Sequence, residues 1–241
     1  MNRLRLVRTT GLLIISLVVL LNIPYTLLIQ NFEYDAILRK PVGYVLTQFQ
    51  AGGGGLILTW FSFGLAALLF IPASVLLHQI LVREDTPYLA IATTMGVLSG
   101  AVQAVGLMRW VFVIPVLANL YTDPKATETT REAVSVVYQA VHQYGGVALG
   151  EHLGQTLLAC WTLGIGLAMR HSRLLPGWLI GFGVLTVPLL LVGQSELLAT
   201  VMPALPVLKT TVIGFVLWEI WLLMVGVSLL RVPPQRVVPK T

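Results

Sequence analysis

Residues 138–155 read Tyr-Gln-Ala-Val-His-Gln-Tyr-Gly-Gly-Val-Ala-Leu-Gly-Glu-His-Leu-Gly-Gln and place two of the chain's four histidines beside a glutamate, just before a long apolar run. Histidine and glutamate bind metals and move protons, so His142, Glu151 and His152 are the first candidates for chemistry. Spacing weighs against a metal. On an α-helix His142 and His152 stand about 15 Å apart along the axis. Their wheel positions differ by about 80°, and Glu151 falls nearly opposite His142. They cannot act as the i, i+4 pair of a helical zinc site. The two remaining histidines, His78 and His171, fall at the other ends of apolar runs, so no facing ligand for a bis-histidine haem is expected. No metal and no cofactor are expected. Glu151 with His152 is the only candidate acid/base pair, and no GxSxG nucleophile accompanies it.

The other polar groups inside apolar runs are Arg109, Glu196 and Glu219, with Gln103 and Gln155 nearby. Counting about 1.5 Å per residue across a hydrocarbon layer about 30 Å thick puts Arg109, Glu151, His152 and Glu196 toward the outer leaflet. His142 falls at its mouth and Glu219 nearer the midplane. Charges at such depth are costly and need partners. Three readings follow. An outward-facing polar pocket lined by Arg109, Glu151, His152, Glu196 and Glu219, with Gln103, His142 and Gln155 beside it, would bind, sense or transport a small or lipid-like ligand. Alternatively, Glu151 and His152 serve an intramembrane enzyme acting on a lipid or quinone. In the third reading the charges only clamp helices together. The first is preferred.

The elements that must position these groups follow from composition. The 241 residues are 56% hydrophobic and only 10% charged, against about 25% charged in soluble domains. This is an all-α polytopic membrane protein, a bundle of six transmembrane helices in a single domain, with the lipid bilayer as its surroundings. The spans run over about 11–30, 56–81, 88–121, 131–170, 177–198 and 207–230, and residues 231–241 are expected to form a disordered tail. Between the first two spans, residues 31–55 are expected to hold an interfacial segment or short re-entrant helix, ending in Gly52-Gly53-Gly54-Gly55 as a flexible entry to the second span. Thr130 or Asp123 is expected to cap the start of the fourth span, and Cys160 to be a small core residue.

The net charge of +5 comes from scattered lysines and arginines, which excludes nucleic acid as a partner and instead reports orientation. With six spans both termini share a side. That side would carry Arg3, Arg5, Arg8, Arg83, Arg170, Arg173, Arg231, Arg236 and Lys240, nine residues. Arg39, Lys40, Lys125, Arg131 and Lys209, five residues, would lie opposite. The positive-inside rule therefore places both termini in the cytoplasm and the protein in the plasma membrane.

Four blocks carry a family resemblance. They are Met108-Arg109-Trp110-Val111-Phe112 with Pro115 and Tyr121, His142-Gln143-Tyr144-Gly145-Gly146 through Gly150-Glu151-His152-Leu153-Gly154, Arg173-Leu174-Leu175-Pro176-Gly177-Trp178, and Leu217-Trp218-Glu219-Ile220-Trp221-Leu222. Together they resemble the DUF4386 family over most of the chain. The resemblance implies a multi-spanning prokaryotic membrane protein and brings no catalytic residues with it.

Overall fold

The computed structural model describes residues 3–172 and 174–234. Among them every regular element is helical: α1 Arg3–Phe32, a 3-10 turn Ala36–Arg39, α2 Val42–Leu68, α3 Phe70–Leu81, α4 Leu89–Phe112, α5 Ile114–Thr122 and α6 Glu128–Val141. A π-helical segment His142–Leu153 follows, then α7 Gly154–His171, α8 Trp178–Gly193, α9 Ser195–Ala199 and α10 Thr211–Leu230. These form six rods, one for each expected span. Five are long and apolar enough to cross a membrane: Arg3–Phe32, Val42–Leu81, Leu89–Thr122, Trp178–Ala199 and Thr211–Leu230. The sixth, 128–171, is helical throughout, but its polar first half and π segment divide its apolar length.

Proline sets two of the breaks. Pro72 and Pro115 have no N–H to continue the helix and favour a first turn, although Pro24 and Pro188 sit inside unbroken helices. The rods accordingly restart just before them, at Phe70 and Ile114. The second rod begins well before the glycines. Val42, Val45, Leu46 and Phe49 form an apolar helical stripe, three of them fully packed in a core, so packing carries the helix into a stretch that four glycines argue against. The chain kinks at Gly53, whose φ of 54° and ψ of −151° suit glycine alone.

Two smaller expectations are corrected. The cap of α6 is Thr127, whose Oγ1 accepts from Thr130 N at 3.1 Å. Asp123 instead closes a turn, accepting from Lys125 N at 2.8 Å. Cys160 is exposed, because a rod that is apolar all round offers small apolar residues to lipid as readily as to a core. Of the expected tail, residues 235–241 and their charges Arg236 and Lys240 lie outside the described residues, as does Arg173. Val232 is buried.

The chain divides into two compact units. The first comprises Met1–Val19, Leu68–Ala101 and His152–Thr241. Its helices touch through small residues. A Cβ on Gly11 would stand 2.7 Å from Gly226 O, and one on Gly193 would stand 2.6 Å from Thr211 N. Such close approach of backbones is how helices associate where lipid removes the hydrophobic drive. Ser99 Oγ donates to Gly154 O at 2.8 Å, Trp218 Nε1 to Thr162 Oγ1 at 2.9 Å and Trp221 Nε1 to Leu179 O at 2.9 Å.

The second unit comprises Leu20–Ala67 and Val102–Glu151. Its core is aromatic. Trp60 and Trp110 stack at 4.8 Å, Phe49 stacks on Trp110 at 5.8 Å, and Phe32 meets both tryptophans edge-on. Ile37 and Leu38, from the turn between α1 and α2, are buried in the same core. Residues 33–41 are therefore a packed segment between two helices.

Candidate functional site

The second unit holds a buried cation. Arg109, in the last turn of α4, is only 7% exposed. Its Nη1 donates to Gly106 O, and the guanidinium lies 5.3 Å from the Trp110 ring. A Cβ on Gly146 would meet Nη2 at 2.5 Å and Cζ at 2.6 Å, so only glycine lets the guanidinium lie against the π segment. Three residues toward the N-terminus of α4, a Cβ on Gly106 would stand 2.6 Å from Gly150 Cα and 3.0 Å from Gly145 O. Gly106, Gly145, Gly146 and Gly150 thus form the seam that carries Arg109.

The π segment changes which residues share a face. A π-helix bonds i to i+5 and turns about 82° per residue, against 100° in an α-helix. Nine residues at that pitch bring Glu151 to within about 20° of His142, where an α-helix would set it opposite. His152 then points about 100° away, and it is exposed. The π pitch therefore puts Glu151 on the face of His142, where the α-helical wheel sets it nearly opposite. Twelve residues of π-helix is long for an element that usually occurs as a single turn.

Around Arg109 the remaining polar groups converge. The charge of Glu151 and the phenols of Tyr34 and Tyr138 all act on it. Glu151 pairs with Arg39 of the 3-10 turn at 3.8 Å, the two side chains being 23% and 34% exposed. His142, 9% exposed, stacks on Tyr138 with ring centres 5.5 Å apart and planes 10° apart. Tyr34, in the segment between helices, has its phenol pKa pushed well above the ordinary value, first by burial and then by the Asp35 and Glu151 carboxylates. It is a neutral donor at any physiological pH.

Four buried polar atoms here have no hydrogen-bond partner among the described residues: Arg109 Nε, Trp60 Nε1, Tyr138 O–H and His142 Nδ1. They belong to one connected set, in which Trp60 stacks on Trp110, Arg109 lies against Trp110 and acts on Tyr138, and Tyr138 stacks on His142. Each such atom costs about 1–3 kcal/mol if nothing satisfies it. The arrangement can receive an acceptor group: three N–H or O–H donors, one of them cationic, and an imidazole that either donates or accepts.

Of the residues singled out from sequence, Arg109, Glu151, His142 and half-buried Gln103 lie in this unit. His152, Gln155, Glu196 and Glu219 belong to the first unit. There Glu196 and Glu219 are half-buried, and Gln155 Oε1 is buried without a partner. Sequence reasoning passed over Arg39, Tyr34, Trp60 and Tyr138. Tyr138 shares the α-helical face of His142 and could have been promoted on that ground. Arg39 carried no signal, since a loop arginine looks the same whether or not it reaches a glutamate 112 positions away. Also passed over was Gln194 of the first unit, 4% exposed, which accepts from Thr156 Oγ1 at 3.4 Å while its Nε2 has no partner.

The family model described as "Domain of unknown function (DUF4386)" matches residues 9–226. No curated protein and no solved structure matches the chain.

Proposed function

The chain belongs to the DUF4386 family, and from that premise we propose that it is a multi-pass plasma-membrane protein that binds a small or lipid-like ligand at the buried Arg109 site. Its role would be sensing or transport, with both termini in the cytoplasm. One observation carries the reading. Arg109, only 7% exposed, keeps an unsatisfied Nε, beside three further unsatisfied polar atoms in the same aromatic set. Proteins seldom leave buried donors unpaired without a reason, and in an apolar bilayer the cost is greatest. A carboxylate, phosphate or carbonyl on an apolar body would satisfy the donors and pack its remainder against Trp60, Trp110 and Phe32.

Native mass spectrometry of protein purified in mild detergent tests this. The wild type is expected to retain a bound mass that Arg109→Gln loses at equal yield and with a cooperative melting transition. Identical spectra for the two proteins would sink the reading. A reporter fused to the C-terminus tests the orientation, and activity on the periplasmic side would reverse it.

A further inference from the structure

The four unsatisfied polar atoms at the Arg109 site have almost no accessible surface, so a ligand reaches them only if part of the second unit moves. We infer that residues 34–52 form a hinged cover over the site, latched by the Arg39–Glu151 pair. The inference rests on the ligand-site reading and adds to it the route and control of entry.

The backbone marks both ends of the cover. Among the described residues just two have positive φ, Glu33 at 52° and Gly53 at 54°, and they bracket this segment. A non-glycine residue at positive φ stores strain, and hinges are the few positions that absorb such φ/ψ changes. Beyond the second hinge, a Cβ on Gly53, Gly54 or Gly55 would meet nothing within 4 Å. Across this hinge the Leu56 side chain lies against Gly52, a contact made by a flexible side chain and not by backbone. Between the hinges the segment holds together as one piece. Lys40 sits 5.9 Å over the Tyr44 ring, and Tyr44 O–H donates to the side chain of Glu33 at the first hinge. Its underside places Leu38, Leu46 and Phe49 in the aromatic core. In a bilayer those apolar side chains trade core for lipid tails at little cost, because lipid is as apolar as leucine. The ion pair is then a contact that lipid cannot replace, as is the hydrogen bond between the Leu38 backbone and His142. At 3.8 Å and partly exposed, the ion pair is weak enough to open and specific enough to set the closed register.

The test reads cover movement without any ligand. In a Cys160→Ser background, which removes the exposed native thiol, Leu46→Cys places a thiol on the buried face of the cover. Ala168→Cys places one in the core of the first unit. Reaction with a charged methanethiosulfonate is expected to accelerate about two- to fivefold at Leu46→Cys when Glu151→Gln is added, the range open to a partly exposed ion pair. The rate at Ala168→Cys is expected to stay the same. An unchanged Leu46→Cys rate, or equal acceleration at both positions, overturns the inference. Spin labels at Thr47→Cys and Tyr144→Cys, both exposed in the native chain, give a second reading that spares the core. Their distance distribution is expected to gain a longer component with Glu151→Gln, and an unaltered distribution overturns the cover. A cover that moves over a site retaining no mass in the native spectra keeps this inference and removes the ligand reading.

Discussion

In the first unit the indole N–H groups of Trp218 and Trp221 reach Thr162 and Leu179. In the second, the indole of Trp60 is equally buried but reaches no acceptor. The glycines differ in one stretch. Gly11, Gly193 and Gly226 of the first unit and Gly106 and Gly146 of the second are pressed against neighbours, whereas the consecutive Gly53, Gly54 and Gly55 of the second face open space. The first unit also has unsatisfied atoms, on Trp161, Gln155, Gln194 and Thr211, so the contrast is not one of perfect against imperfect bonding. It lies in what surrounds the unpaired groups. In the second unit they surround a buried cation next to a hinged segment, and in the first they are neutral groups among closely packed helices. Close packing with small residues rigidifies a membrane bundle, while an aromatic core can reopen to lipid at modest cost.

The contrast can be broken at several points. The largest effects are expected where an added methyl must displace backbone. Gly106→Ala in the seam and Gly193→Ala in the first unit should each lower stability by about 1–3 kcal/mol, the usual cost of overpacking. Gly54→Ala, with open space around it, should be neutral or stabilise by about 0.4–1 kcal/mol through the unfolded chain. Thermal unfolding in detergent orders the three, and equal losses would deny that the glycine run is unpacked. Next comes a pair of matched truncations. Trp221→Phe should cost about 1 kcal/mol more than Trp60→Phe, because only the former gives up an indole hydrogen bond. The reverse order would mean that Trp60 has a partner after all.

The smallest effect is expected at the turn between α3 and α4. Burial works to raise the Asp85 pKa, but the Arg83 hydrogen bond and the charges of His171 and Arg83 outweigh it and hold the carboxyl below its ordinary value. Its hydrogen bond with His171 spans 3.0 Å. A depressed carboxylate stabilises the fold above its unfolded pKa, and that contribution is lost as pH falls through the folded value. Melting temperatures of wild type and Asp85→Asn should therefore differ slightly near neutrality and converge in acid. A gap that widens toward low pH would reverse the assignment.

Much of the fold was legible because it is local. Apolar runs of about 20 residues dictate membrane-length helices whatever their neighbours, and Pro72 and Pro115 mark breaks in rods that Pro24 and Pro188 do not make. The candidate site was legible in part. Arg109 and Glu151 stood out by their cost in an apolar setting, which needs no partner to be named. The role of Gly146 was half visible, since a Gly-Gly pair signals close approach without saying to what.

Two features were decided only by tertiary structure. The sequence His142–Leu153 does not announce i to i+5 bonding, because α and π registers use the same residues and differ by how a neighbouring helix packs. Here Gly106 and Arg109 of α4 lie against Gly145, Gly146 and Gly150, and the π pitch brings Glu151 onto the face of His142. The start of α2 at Val42 is the second. Local propensity favours a break at the four glycines, but the burial of Val45, Leu46 and Phe49 holds a helix on one side of them and leaves the break itself at Gly53. The chain alone therefore determined that this is a helical membrane protein with charges inside its apolar runs. Long-range packing chose which face those charges share, since a helix's hydrogen-bond register and an ion pair's partner are both settled by contacts between segments far apart in sequence.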